Sequence, residues 1–267
     1  MELDLAAICQ DTRAIAEQAA TFIRGELGQV EDGQIETKSL NSLVSYVDQQ
    51  AEKLLVHALG ALLPAAVFLT EEGTVEQGGG DLQWIIDPLD GTTNFLHQVP
   101  VFSVSIALLV RQKPVLGIVY EINRRECFWA YSGSGAWCNE RRISVTDTAE
   151  LGDALIGTGF PYQDDGRGAR HLEALAYFQQ HTRGIRRLGS AATDLAYVAA
   201  GRFDAFFEYG LSPWDVAAGA FLVEEAGGKV YDFNLGDQYL HGRQVIAVNS
   251  GLASTVGQII KGFLGGE

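Results

Sequence analysis

The order of strand-like and helix-like patterns is the feature that most constrains the fold of this chain. Between residues 84 and 145, short apolar runs rich in β-branched residues follow one another closely, which predicts an antiparallel meander. Near residue 150 the pattern changes to strands that alternate with helices. Runs of strands followed by such alternation predict layered, mixed α/β packing. We expect two intimately joined halves, residues 1–150 and 151–267, that form one integrated unit.

Two helices are predicted ahead of the meander. The first is amphipathic, with apolar residues at helical spacing from Leu5 to Ile23. The second runs from about Val47 to Leu63, and Pro64 ends it. The polar segment Glu31–Asn41 between them is predicted to be a hinge, and Val67–Leu69 after them a short strand.

The charge of the chain limits its partners. It has 267 residues, with 34 Asp and Glu against 19 Lys and Arg, and a formal net charge of −15. Such a balance offers little to a nucleic-acid backbone or an anionic membrane, so we expect neither partner. The negative charge would also repel a phosphate substrate, unless bound divalent cations make the electrostatic potential positive at the site.

Cysteine usage and the N-terminus predict a cytoplasmic location. Cys9, Cys127 and Cys138 are odd in number and widely separated, which is typical of buried thiols in a reducing compartment. The start, Met-Glu-Leu-Asp-Leu, lacks the basic and apolar regions of a signal peptide. No apolar run reaches the roughly 18 residues that a membrane helix needs.

The stretch Trp84–Phe95 carries the strongest chemical signal. A buried strand is expected over Trp84–Ile86, and Pro88 is expected to end it. Asp87 and Asp90 then precede Gly-Thr-Thr, which suits the opening of a helix. Two anionic oxygen ligands beside a helix N-terminus could bring cations and a phosphate to one point. Ordinary turn chemistry at Asp-Pro and Asp-Gly would explain the same residues, and spacing alone does not decide between the two interpretations.

Three further acids lie where predicted elements end or begin. Glu71 follows a strand, Glu208 follows another, and Asp215 opens a helix, where it could act as a cap or a dipole partner. Each acid alone fits a capping or solvated role. Five of them framing two helix openings are harder to explain by capping alone.

These motifs together resemble the inositol monophosphatase family. The resemblance rests on Asp87-Pro-Leu-Asp-Gly-Thr-Thr-Asn-Phe95, on Glu71-Glu72, on Trp214-Asp215-Val-Ala-Ala-Gly219 and on Glu225-Ala-Gly-Gly228. It extends from about Lys38 to Asn249 and is most similar to the bacterial inositol-1-monophosphatase branch. It implies an α-β-α-β-α sandwich, usually a homodimer, and a Mg²⁺-dependent, often lithium-sensitive phosphatase acting on a small phosphate monoester.

The resemblance also implies a site with two or three Mg²⁺ ions. Glu71, Asp87 and the carbonyl of Leu89 would hold the first ion, and Asp87, Asp90 and Asp215 the second. Lys38 would lie near a third metal or a water. Two metals about 3.5–4 Å apart can clamp the attacking and leaving oxygens of an in-line displacement.

Catalytic and substrate contacts are implied by the same family resemblance. A water held by the metals would be oriented by Glu71 and by Thr92, which would pair with Asp48. The phosphate and alcohol would contact Asp90, Gly91, Thr92, Thr93, Gly189, Ser190, Ala191, Glu208 and Asp215. Two departures leave the geometry at Asp48 open: Lys38 is one residue closer to it than usual, and Ser42-Leu-Val-Ser45 replaces Asp-Leu-Val-Thr.

Other activities fit the same residues less well. A phosphoaspartate hydrolase is disfavoured because Asp90 is one position too far from Asp87 for an Asp-x-Asp nucleophile motif. The five histidines lie outside the carboxylate motifs, and no Gly-rich nucleotide loop is present. A 3′(2′),5′-bisphosphate nucleotidase, a fructose-1,6-bisphosphatase or a histidinol-phosphatase would keep the same acids. A non-catalytic regulatory binding protein is a more remote hypothesis.

Overall fold

Three ranges of the chain are described in the computed structural model. They are residues 3–39, 42–161 and 166–266, with the side chains at 32, 37–39 and 42 not described. Within these ranges, no helix is long and apolar enough to cross a bilayer. The side chain of Lys38, predicted near a third metal, lies outside the described part.

The N-terminal segment forms two long helices separated by a hairpin. Its elements are α1 (Leu5–Gly25), β1 (Ile35–Ser39), β2 (Ser42–Ser45) and α2 (Tyr46–Leu62). Both predicted helices are confirmed within two residues at each end. The predicted hinge is wrong over residues 35–39, because these residues pair antiparallel with β2, Glu36 lying opposite Val44. Residues 40 and 41 of that prediction lie outside the described ranges.

Seven strands form the larger sheet in the order of the sequence. They are β3 (Val67–Thr70), β4 (Leu82–Asp90), β5 (Ser103–Val110), β6 (Lys113–Glu121), β7 (Glu126–Tyr131), β8 (Ala136–Cys138) and β9 (Arg141–Ile143). The predicted meander is confirmed, since every neighbouring pair is antiparallel except β3 and β4, which are parallel.

Strand β4 continues past Pro88, so the prediction that the proline ends it is wrong. The pairing of β4 with β5 shifts register between Asp87 and Asp90, which is a bulge. A proline is tolerated at a bulge because no ladder bond is required of its nitrogen there. A five-residue helix, α3 (Thr92–Leu96), then begins after Gly91, whose φ of 99° is left-handed and suits glycine. Both aspartates thus lie in the last four residues of β4, directly before this sharp turn.

The second half builds a five-stranded sheet with helices on both faces. Its strands are β10 (Leu155–Thr158), β11 (Gly184–Arg186), β12 (Ala205–Tyr209), β13 (Lys229–Tyr231) and β14 (Gln244–Val248), in the spatial order β11-β10-β12-β14-β13. Its helices are α4 (Gly168–His181), α5 (Ala191–Ala199), α6 (Pro213–Glu225) and α7 (Ala253–Leu264). Strand β12 extends two residues beyond the predicted end at Phe207, so Glu208 lies within it.

Three apolar cores stack these elements into five layers. In the first, Ala16, Ile23 and Leu55 of α1 and α2 pack under the larger sheet. In the second, α5 and α6 fill the space between the two sheets. In the third, α4 and α7 cover the outer face of the smaller sheet, around Phe178 and Ile260. The layering is therefore α-β-α-β-α, which confirms the expected fold.

Candidate active site

A pocket of about 420 Å³ is lined by residues from both sheets and from the helices between them. It is bordered by the end of β4, by the end of β12 and by the first residues of α3, α5 and α6. Its lining includes nearly all the predicted site residues: Glu71, Asp87, Leu89, Asp90, Gly91, Thr92, Thr93, Gly189, Ser190, Ala191, Glu208 and Asp215. Residues that are far apart in the sequence therefore share one cavity.

Three aspartates form the centre of this pocket. Asp87, Asp90 and Asp215 each offer an oxygen within 4.8 Å of those of the other two. Hydrogen bonds fix each carboxylate. The backbone N–H of Leu89 donates to Asp87 over 2.9 Å, and that of Ser212 donates to Asp215 over 2.7 Å. Asp215 is thus also an N-terminal capping partner of α6, as its position in the sequence allowed.

Asp90 is held by the start of α5. Its Oδ2 accepts from Ser190 Oγ over 2.6 Å and from the backbone N–H of Ala192 over 2.8 Å. Ser190 and Ala192 both donate to Oδ2, so neither of these two bonds involves Oδ1. A carboxylate at a helix N-terminus is also favoured by the helix dipole. This bond pair ties the end of β4 in the larger sheet to a helix of the second half.

Burial raises the pKa of each of these three aspartates, and the charges of neighbouring acids add to the effect for Asp87 and Asp215. Burial raises the pKa of Asp215 to about 7, and the charge of Asp90 adds to the effect. Burial raises the pKa of Asp90 to about 6, although the Ser190 and Ala192 bonds oppose it. Burial, then the charges of Glu71, Asp90 and Asp215, raise the pKa of Asp87 well above its ordinary value. A group of buried like charges of this kind is stabilised by a cation.

Glu71 borders the three aspartates from the end of β3. It is outside the 4.8 Å group, but its charge and a side-chain hydrogen bond both raise the pKa of Asp87. Its backbone N–H donates to the carbonyl of Ile86 over 3.2 Å, which holds it beside β4.

Thr92 lies at the start of α3 and is hydrogen-bonded to α2. Its hydroxyl is 2.8 Å from Asp48 Oδ1 and 3.1 Å from the carbonyl of Leu89. Asp48 is buried, and its Oδ2 accepts from the N–H and the hydroxyl of Ser45. The pairing of Asp48 with Thr92 is therefore present despite the unusual spacing before it.

Glu208 of β12 is a further acid in the lining of the pocket. Its carboxylate lies directly against Gly159, where a Cβ atom would overlap it. Burial raises its pKa well above the ordinary value, the charge of Asp215 raises it further, and Arg187 lowers it. Glu208 is therefore a buried acid that lines the same cavity as the aspartates.

The sequence did not single out three of the charged lining residues. Asp194, in the first turn of α5, is buried, and its Oδ1 has no hydrogen-bond partner among the described residues. Burial, then the charge of Glu208, raise its pKa well above the ordinary value. Its spacing of four residues from Ser190 on a helix was the available signal. Arg187 was considered only as a partner of Glu208, and Arg243 lies in a loop without a local motif.

The chain is similar in sequence and in structure to known proteins. Residues 5–261 match the model of the inositol monophosphatase family. The chain is 43% identical to the inositol-1-monophosphatase of Mesorhizobium japonicum over 88% of each chain. It is 42% identical to the Nus factor SuhB of Pseudomonas aeruginosa over 88% of this chain and 89% of that protein. The crystal structure of extragenic suppressor protein suhB from Bartonella henselae matches with a TM-score of 0.90 at 38% identity, covering 96% and 98% of the two chains.

Proposed function

Because this chain belongs to the inositol monophosphatase family, a family of metal-dependent phosphatases, we propose that it hydrolyses myo-inositol monophosphate or a similar polyol phosphate. The observation that carries this proposal is the pocket itself. It brings the group Asp87, Asp90 and Asp215 into the same cavity as Glu208, an acid suited to accept hydrogen bonds from an alcohol. A small polar substrate with a phosphate at one end and hydroxyls at the other fits that arrangement.

Mg²⁺ fits the donor set of this pocket. The donors are carboxylate and carbonyl oxygens, which Mg²⁺ prefers. Burial raises the pKa of Asp90 and of Asp215, and the charge of Asp90 raises that of Asp215 further, so a bound cation would favour the ionised carboxylates. We assign Glu71, Asp87 and the Leu89 carbonyl to one ion, and Asp87, Asp90 and Asp215 to another, with two or three ions in total. When bound, Mg²⁺ would neutralise phosphate charge and lower the pKa of a water.

Glu71 and Thr92 orient the attacking water in this proposal. Thr92 has a single hydroxyl proton, and Asp48 is the nearer of the two acceptors around it. With that proton directed to Asp48, Thr92 Oγ can only accept a hydrogen bond from the water. Asp48 thereby ensures that the water donates a hydrogen bond to Thr92 and does not accept one from it. A lone pair of the water oxygen is then left to face the phosphorus.

The remaining contacts hold the phosphate and the alcohol. Backbone N–H groups of Gly91, Thr92 and Thr93 at the start of α3 would donate to phosphate oxygens. Glu208 would accept from ring hydroxyls, beside Gly189, Ser190 and Ala191 at the start of α5. Where Glu208 and Asp194 are ionised, they would repel a second phosphate placed near them, which favours a monophosphate over a bisphosphate.

A side-by-side assay tests the substrate. Phosphate release is measured from inositol-1-phosphate and from 3′-phosphoadenosine 5′-phosphate at saturating Mg²⁺. We expect kcat/KM to be at least about tenfold higher for the inositol substrate, given a charge-assisted hydrogen bond to Glu208. A preference for the nucleotide would instead indicate a bisphosphate nucleotidase. Faster hydrolysis of fructose-1,6-bisphosphate or of histidinol phosphate would indicate a fructose-1,6-bisphosphatase or a histidinol-phosphatase.

The relatives named Nus factors favour a second candidate function, a role as a protein partner in a transcription complex. The net charge of −15 favours contact through protein rather than RNA. The variant Asp90→Asn separates the two functions. It should abolish hydrolysis and leave such an interaction intact, and loss of both would indicate that they depend on the same site.

The remaining features of the proposal concern organisation. We propose a cytoplasmic homodimer, in which residues 1–150 supply most metal ligands of each subunit and residues 151–267 complete the site. Sedimentation at assay concentration tests the dimer, and a monomer with full activity would refute it.

A further inference from the structure

A buried glutamate on α2 connects the helix to the segment that carries Glu71. Glu52 is fully buried, and both of its oxygens accept short hydrogen bonds. Oε2 accepts from the backbone N–H of Glu72, and Oε1 accepts from the backbone N–H and the hydroxyl of Thr74, each over 2.7 Å. All three donors belong to the turn that directly follows Glu71.

Glu52 and Asp48 have matching positions and matching chemistry. They are four residues apart on α2, so they lie on the same face of the helix. Asp48 also accepts three hydrogen bonds from neutral donors, one of which is the hydroxyl of Thr92. Two buried acids on one helical turn are unfavourable unless each is well hydrogen-bonded. Here one acid reaches Thr92 and the other reaches the turn next to Glu71.

The backbone of Glu71 is fixed on both sides as a result. Ahead of it, Thr70 exchanges two hydrogen bonds with Gln77, of 2.8 and 2.9 Å. At Glu71 itself, the N–H donates to the carbonyl of Ile86. Behind it, Glu52 holds the N–H of Glu72. Only the last of these bonds comes from the helix that also holds Thr92.

We propose that Glu52 is a positioning residue, which orients Glu71 for metal binding as Asp48 orients Thr92. Helix α2 then sets both groups that direct the water, through two acids one turn apart. This inference rests on the proposed function, because it requires that Glu71 is a metal ligand. It assigns a catalytic consequence to a residue that does not line the pocket.

The variant Glu52→Gln tests the assignment. An amide has one acceptor oxygen and one donor nitrogen, whereas both oxygens of Glu52 face N–H donors. Either orientation of the glutamine therefore places two donors against each other at Glu72 or at Thr74. The turn must shift, and Glu71 with it.

Asp204→Asn is the matched control. Asp204 is also a buried acid that joins separate segments, accepting from the Thr146 hydroxyl over 2.6 Å and from the backbone N–H of Leu155 over 2.7 Å. It precedes β12, at the end of that strand away from Glu208. Its loss should lower stability without touching the pocket.

The main readout is Mg²⁺ affinity without substrate, measured by calorimetry on each full-length protein, with Tm measured alongside. We expect Glu52→Gln to weaken Mg²⁺ binding by about tenfold, the lower end of the loss seen when a direct partner of a metal ligand is removed, because Glu52 acts on Glu71 through the backbone of Glu72. Thr74→Val removes one of the three bonds and should weaken binding by about two- to threefold. At saturating Mg²⁺, kcat should fall in Glu52→Gln while KM stays within about twofold.

Two results would overturn the assignment. One is unchanged Mg²⁺ affinity in Glu52→Gln, or in Thr74→Val if the first variant does not fold. The other is an equal loss of affinity in Asp204→Asn at the same fall in Tm, which would make the effect one of general stability. If the wild-type protein bound no Mg²⁺, the proposed function itself would be wrong, and this inference with it.

Discussion

Replacing Asp90 with asparagine should make the metal-free protein more stable while it destroys activity. Oδ2 of Asp90 alone accepts the bonds from Ser190 and Ala192. An asparagine with its oxygen in that place keeps both of these bonds, although the backbone N–H of Ala191, which also favours the ionised carboxylate, gains nothing from an amide nitrogen. The substitution therefore removes a charge and keeps the two bonds that tie Asp90 to α5.

The size of the effect follows from the pKa of Asp90. Burial raises this pKa from its ordinary value of 3.8 to about 6, a net figure that already includes the favourable bonds from Ser190 and Ala192. A pKa difference of about 2 corresponds to about 3 kcal/mol. Because the folded-state pKa is raised, Asp90 favours folding below about pH 4, and this contribution is lost as the pH rises through 6. Above that pH the ionised carboxylate destabilises the fold.

The assay is denaturant unfolding in EDTA from pH 4 to pH 8. At pH 8, Asp90→Asn should be about 3 kcal/mol more stable than wild type, or roughly 6 °C higher in Tm, and the two should converge near pH 4. Asp204→Asn, which loses one of two acceptor oxygens that are both in use, should be destabilised across the range. An Asp90→Asn protein that is less stable than wild type at pH 8 would refute the reasoning.

Three further predictions concern the alcohol side and the metal site. Glu208→Gln should lower kcat/KM for inositol-1-phosphate by roughly ten- to a hundredfold and leave p-nitrophenyl phosphate almost unchanged, because only the first has ring hydroxyls; equal losses would place Glu208 in the metal scaffold. Gly159→Ala adds a Cβ that overlaps the Glu208 carboxylate, so it should reproduce the same selective loss; equal kinetics with wild type would show that the carboxylate has room to move. Li⁺ should inhibit uncompetitively, by occupying the site of Asp87, Asp90 and Asp215 while product phosphate is bound, and competitive inhibition would contradict that order.

Local patterns predicted mixed, layered α/β packing, whereas the five-layer order and the grouping of the acids into one site were implied by the family resemblance. Hydrophobic periodicity marked α1, α2 and the meander, and each acid lay within or directly beside an element that could be recognised, although the ends of β4 and β12 were placed too early. Motifs such as Asp87-Pro-Leu-Asp90 are contiguous, so their neighbours in space are partly their neighbours in sequence.

What the sequence did not predict depends on contacts between distant segments. Pairing with β5 sets the register shift that carries β4 through Pro88. Pairing of β1 with β2 forms the hairpin in the segment that was predicted to be a hinge. Asp194 faces the pocket only because α5 packs between the two sheets. Glu52 gave a readable signal, a second acid four residues after Asp48 within an apolar stripe, but its partners at residues 72–74 could not be read from that spacing.

Phosphate release with and without Mg²⁺ tests most directly whether the acids of this pocket form a catalytic metal centre. Wild-type protein and Asp90→Asn would each be assayed on inositol-1-phosphate after EDTA treatment and again after Mg²⁺ is restored. We predict that wild type is inactive in EDTA and recovers with Mg²⁺, and that Asp90→Asn stays at least about 10²-fold slower in kcat because one charged ligand is lost. Near wild-type turnover in EDTA, or in Asp90→Asn, would contradict the metal-centre assignment.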